Sequence, residues 1–178
     1  MALAELQAAT ARLSVDATAR KALRENPAAF AQEAGLDDSE LQALQEKAAE
    51  FERFARALLN KRTNEAGKAM SQTRAALGES YRVAFAKFAE AVAVPRDPAL
   101  DAIAFLQWLR NNNESRTEVR DLARYELAAL RFRRGNASLS AGIFRCRAGR
   151  FFAIWWRTIG GNEIHHFQWP KAFGKQSN

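Results

Sequence analysis

The stretch GRFFAIWWRTIGGNEIHHFQWP, residues Gly149–Pro170, closes a chain that up to that point reads as Ala-rich, charged helix. FFAIWWRTI is apolar at both parities: Phe151, Ala153 and Trp155 alternate with Phe152, Ile154 and Trp156. That pattern is expected of a central strand covered on both faces. Upstream, GIFRCRAGR alternates, with Phe144 and Cys146 on one face and Arg145 and Arg147 on the other, as a half-buried strand does. Ala148-Gly149 supplies a turn, Gly160-Gly161-Asn162 suits a tight hairpin, and EIHHFQW makes a further strand that Pro170 ends. The expected C-terminal region, residues 135–178, is therefore an antiparallel sheet of three strands, or four if NASLSA joins.

Residues 1–134 read as a helical domain of about eight helices, so the fold class is α+β. The start and stop signals have mechanisms. Asn26-Pro27 and Asp97-Pro98 each place a cap before a proline at the first helical position, and Gly35 stops the helix that Pro27 starts. Asp37 with Glu40, and Ser115 with Glu118, have capping-box spacing. The first box is expected to open a long helix whose stripe is Leu41, Leu44, Ala48, Phe51, Phe54, Ala55 and Leu58. Tyr81, Val83, Ala84, Phe85 and Phe88 read as core, as do Val119, Leu122, Leu127 and Leu130.

Three strands do not stay folded alone, so helices must cover them. One face is then left in question. Either helices wrap both sides, or one face and an edge strand serve a partner.

Charge sharpens the question. Of the 178 residues, the segment from Arg131 onward carries nine Lys or Arg against the single acid Glu163, whereas the rest of the chain has 18 basic and 19 acidic residues. The whole excess of +7 thus sits with the aromatic strands, where it attracts acidic partners. An edge strand such as GIFRCR offers unpaired backbone groups to an extended peptide, and arginines draw an acidic one.

The order ENPAAFAQEAGLDDSELQAL, FERFARALLNKRTNEAGKAMSQTRAALG, DAIAFLQWL, DLARYELAALRFR and then a basic strand hairpin resembles a family of helical accessory proteins. These are encoded beside multinuclear non-heme iron oxidative enzymes that modify ribosomally made peptides, as in methanobactin and 3-thiaglutamate pathways. ARYELAALRF, from Ala123 to Phe132, is the most specific piece of the likeness. The resemblance implies a non-catalytic protein with two partners, a TIM-barrel-like iron enzyme and the leader of its precursor peptide. It implies no cofactor in the accessory chain itself.

The candidate peptide- or partner-binding residues are Phe144, Arg145, Arg147, Arg150, Trp155, Trp156 and Arg157 on the strands. Arg124 and Tyr125 join them from the helix that leads into the sheet. No catalytic or metal-binding residue is expected. His165 and His166 are adjacent on a strand and point to opposite faces, so they cannot act as a pair. Cys146 shares a face with Phe144 and reads as buried, and no CxxC or HxxxH spacing is present. The competing function is nucleic-acid binding, which fits a pI near 10.1 and aromatics interleaved with arginines. No ribonucleoprotein motif or recognition helix accompanies them. MALAELQAATARL lacks the layout of a secretory signal and no run approaches a membrane span, so a soluble, cytoplasmic protein without membrane contact is expected.

Overall fold

A computed structural model describes residues 3–92, 97–112, 116–135, 137–146, 149–158 and 163–171. Among them are nine helices followed by one sheet: α1 (Leu3–Val15), α2 (Ala17–Glu25), α3 (Pro27–Ala34), α4 (Asp38–Glu46), α5 (Ala48–Ala69), α6 (Ser71–Leu77), α7 (Ser80–Ala91), α8 (Pro98–Asn111), α9 (Thr117–Arg134), β1 (Leu139–Cys146), β2 (Gly149–Arg157) and β3 (Ile164–Trp169). The α+β expectation holds, with three strands and not four. NASLSA adds no strand of its own, since Leu139, Ser140 and Ala141 begin β1. No described helix is long and apolar enough to cross a membrane.

The chain forms two compact units, Met1–Thr63 with Ala89–Val94, and Asn64–Phe88 with Pro95–Asn178. The first is built around Leu13, Ala19, Leu23, Phe30, Leu44 and Phe51. Its punctuation follows the sequence. The Asn26 side chain accepts from the Ala29 amide, Gly35 ends α3 in the left-handed region at φ +68°, and Asp37 and Glu40 close a reciprocal capping box.

The long helix expected from that box is two helices. Lys47 breaks it at φ −90°, ψ 2°, and its carbonyl accepts from the amides of Glu50 and Phe51 to start α5. The stripe is correspondingly interrupted: Leu44 and Phe51 are buried, whereas Phe54 is exposed. The second expected box falls partly outside the described residues. Ser115 is the part that lies outside them, and α9 starts from Arg116 with no side-chain cap.

In the second unit an aromatic cluster joins α7 and α8, with Tyr81, Phe85, Phe88, Phe105 and Trp108 at centroid separations of 5.1–6.2 Å. Asp97 caps α8 through the Ala99 amide and pairs with Arg134 near the end of α9. Helix α9 carries the sheet. Leu122, Tyr125, Ala128, Ala129 and Phe132 pack with Phe144, Cys146, Phe151, Ala153 and Trp155. Buried Glu126, on the same helix, accepts from the Gln72 and Thr73 amides at 2.8 Å each, and so caps α6 from outside.

Candidate interaction face on the sheet

The strands run antiparallel in the order β1-β2-β3. A connection of two residues sets the β1-β2 register, pairing Cys146 with Gly149 and Phe144 with Phe151. Gly149 adopts φ +125°, while Arg147 and Ala148 lie outside the described residues, as do Gly160, Gly161 and Asn162. Phe144 and Cys146 are buried against the core, so Phe151, the partner of Phe144, and Ala153 and Trp155, of the same parity on β2, face it too. Gly142 permits this layer: a Cβ there would stand 2.6 Å from the ring of Phe144.

The opposite parity is open. Leu139, Ile143, Phe152, Trp156, Phe167 and Trp169 share the outer face, and they range from 36 % exposed at Trp156 to 69 % at Trp169. Ala141 and Ile154 fill the gaps between them. Arg145 and Arg150 sit directly opposite one another at one end of this face. Neither has an ion-pair partner among the described residues, and like charges paired across strands repel. At the other end Trp156 stacks on His165 at 5.3 Å, and His165 shares a 2.8 Å hydrogen bond with Thr158.

The nine candidates therefore divide. Arg145 and Arg150 lie at one end of the outer face and Trp156 at the other. Phe144, Trp155 and Tyr125 lie on the core side. There the Tyr125 ring touches Phe144, Phe151 and Trp155 at 5.2–5.4 Å, and burial pushes its phenol up to about 12. His166 stacks on Trp155 and meets the Tyr125 hydroxyl at 3.3 Å. Its pKa is pulled below the ordinary imidazole value, first by burial of the ring and then by Arg133. Cys146 is buried in the same layer.

Arg157 is engaged elsewhere. Its guanidinium lies over the Phe132 ring and donates to the carbonyls of Phe132, Gly135, Arg133 and Ala137, at 2.7–3.2 Å. It thereby satisfies acceptors that the end of α9 leaves over. Arg157→Ala is expected to destabilise the chain by about 1–3 kcal/mol. Urea denaturation measures this, and an unchanged midpoint would leave those carbonyls adequately served by water.

Arg124 closes one edge of the sheet. It lies over the Phe144 ring at 5.1 Å and donates to the Ile143 carbonyl. The Arg157 amide donates to Ser138, so alternation turns the backbone of Leu139, Ala141, Ile143 and Arg145 outward, and Arg124 occupies part of that edge. On the far side the Thr158 amide donates to Glu163. The backbone of Ile164, His166 and Gln168 therefore points away from β2. Beside this second edge, the Gln168 side-chain nitrogen is buried with no hydrogen-bond partner among the described residues.

The sequence left open whether Phe152, Ile154 and Trp156 or the alternate parity packs on the helices; the structure buries Phe151, Ala153 and Trp155, and Leu139, Ile143, Phe167 and Trp169 were not among the candidates. The signal was available in the short β1-β2 connection, which fixes parity. Among the described residues no group of three His, Cys, Asp or Glu is gathered for a metal ion.

Residues 45–111 match the family model described as SCO6045-like, C-terminal domain. The matched stretch runs from the end of α4 through α8 and stops short of α9 and the sheet. Its description names neither an activity nor a partner. No curated protein and no solved structure gives a significant match.

Proposed function

We propose that this chain is a non-catalytic accessory protein that holds an extended precursor-peptide leader by strand addition to its C-terminal sheet. In this reading it acts in complex with an iron-dependent, peptide-modifying oxidative enzyme. The observation that carries the binding role is a sheet covered by α9 on one face and open on the other, with an outward backbone row on β3. Exposed apolar patches of this kind mark interaction sites. The identity of the partners rests on the family resemblance of the sequence.

In this reading the added strand takes the β3 edge. The β1 edge carries Arg124 on the Ile143 carbonyl, whereas Ile164, His166 and Gln168 present three donors and three acceptors in the spacing an added strand needs. A strand laid there also brings acceptors near the unpartnered Gln168 nitrogen. Co-expression with the enzyme encoded beside it tests the assignment. Copurification of an iron-containing complex that retains the leader supports it, and recovery of the free chain with no leader affinity sinks it.

The excess positive charge supplies steering. Replacing Arg145, Arg147 and Arg150 together by Ser is expected to slow association with an acidic leader by about tenfold at low salt and to flatten its salt dependence. Stopped-flow association rates at two ionic strengths measure it. An unchanged salt slope would reduce these arginines to a solvated rim. The second reading, single-stranded nucleic-acid binding, is favoured by one observation: exposed Phe152, Phe167 and Trp169 lie on the same face as Arg145 and Arg150, as a stacking platform requires. Tight binding of oligo-dT at physiological salt would select it.

A further inference from the structure

We infer that the outer face of the sheet docks one amphipathic helix of a partner protein, laid along the strands with its carboxylates at the Arg145–Arg150 end. This inference rests on the reading of the chain as a partner-binding module, and it assigns to the open face a different occupant from the strand added at β3.

The inner face is the template. Helix α9, 18 residues and so about 27 Å long, covers one side of three strands whose longest, β2, has nine residues and spans about 30 Å. Three strands are on the order of 10–15 Å wide, which matches one helix with its side chains. The outer face offers the same footprint, and its apolar residues run the length of the sheet from Leu139 and Trp156 to Phe152 and Trp169. A single helix on it would complete a helix-sheet-helix sandwich and remove the aromatics from water.

Charge fixes the polarity of the occupant. The one acid at that face among the described residues, Glu163, stands 3.9 Å from His165 at the Trp156 end, whereas Arg145 and Arg150 at the opposite end have no ion-pair partner among the described residues. The stretch that follows Trp169 adds Lys171. An incoming helix with carboxylates at this end relieves the cross-strand repulsion, and one with lysines there adds to it. A second copy of this chain fits less well. The face covers only about 400 Å² by strand spacing and rise, well under the roughly 800 Å² per partner of a stable interface. It also presents the same unneutralised arginines. A helix of a partner that other contacts already hold in the complex needs no larger area, because the second contact is then intramolecular.

The probe is a fluorescein-labelled, stapled 18-residue helix with a Leu and Phe stripe and three Glu in one terminal turn. Controls are the same helix with three Lys, an extended acidic peptide of alternating pattern, and oligo-dT, each titrated onto the full chain by anisotropy. The Glu helix is expected to bind at least tenfold more tightly than the Lys helix. Phe152→Ser with Phe167→Ser should weaken the Glu helix at least tenfold while leaving the extended peptide within twofold. Arg145→Glu with Arg150→Glu should reverse the Glu-over-Lys preference. Circular dichroism melting confirms that the variants remain folded.

Several outcomes overturn the inference. If the extended peptide binds and the helix does not, docking on the outer face is wrong and the accessory-protein reading stands. If the helix binds and the extended peptide does not, strand addition fails and the docking face stands. Binding of neither removes both. Displacement of the helix by oligo-dT hands the face to nucleic acid, and concentration-dependent dimerisation abolished by the double Ser variant hands it to a second copy.

Discussion

Trp155→Ala is expected to cost the fold about 3–5 kcal/mol and to lower Tm by on the order of 10 °C, whereas Trp156→Ala should leave melting nearly unchanged. The two residues are neighbours in sequence and equal in volume, so the difference isolates their surroundings. Trp155 is 2 % exposed, with Tyr125, Phe144 and His166 at 5.3–6.0 Å from its ring. Truncation there removes one wall from the aromatic layer that packs the strands on α9, among Phe144, Phe151, Ala153 and Phe132. Trp156 stands on the open face with one stacking partner, His165, a contact that holds little of the fold together. Its loss should appear instead in partner binding, as a drop of about tenfold or more in affinity if it lies near the centre of the contact. Thermal melts and partner titration on the two variants decide the matter. Equal destabilisation by both, with no effect of Trp156→Ala on binding, would make the outer face an ordinary surface.

Much of the helical architecture was legible because helix ends are written in local chemistry. Asn26-Pro27, Gly35, Asp37 with Glu40, and Asp97-Pro98 all act where their side chains and dihedrals predict. The break at Lys47 was not legible, since neither Gly nor Pro marks it and the apolar spacing runs through it. The core-facing side of β2 looked ambiguous from FFAIWW alone, because both parities are apolar. It becomes determinate once the strand before it is used: alternating Phe144, Arg145 and Cys146, joined through a two-residue connection, leave one parity for the core. Arg157 and Arg124 read as partner-binding candidates in the sequence, yet both hold backbone carbonyls brought near by the packing of α9 against the sheet. Phe167 and Trp169 looked like one more apolar strand. Their exposure follows from the absence of any described layer over that face, which no local pattern encodes.

Glu126 gives the other large expected effect, and it was equally silent in sequence, since an acid in the middle of a charged helix reads as solvated. Its carboxylate is the acceptor for two amides at the start of α6, where Met70 provides no side-chain cap. Glu126→Ala leaves both amides without their partner in a buried site, and should cost about 2–4 kcal/mol, close to the combined loss of a cap and a charge-assisted bond. Glu126→Gln keeps one acceptor and should cost roughly half as much. The pH dependence separates the charged acceptor from a merely well-packed side chain. Burial raises the carboxyl above its ordinary range, and the amides of Thr73 and Gln72 pull the other way without cancelling it. The folded state therefore holds this proton more readily than the unfolded state. The contribution of Glu126 to stability is greatest below the ordinary carboxylate range, declines as pH rises through the window up to the raised folded value, and is constant above it. The amide of the Gln variant does not titrate. The stability advantage of the native chain over Glu126→Gln, measured by urea denaturation from about pH 4 upward, should therefore shrink as pH rises through that window. An advantage that grows with pH instead would mean that the two amide bonds to the carboxylate outweigh its burial, and that α6 is held by a group ionised throughout.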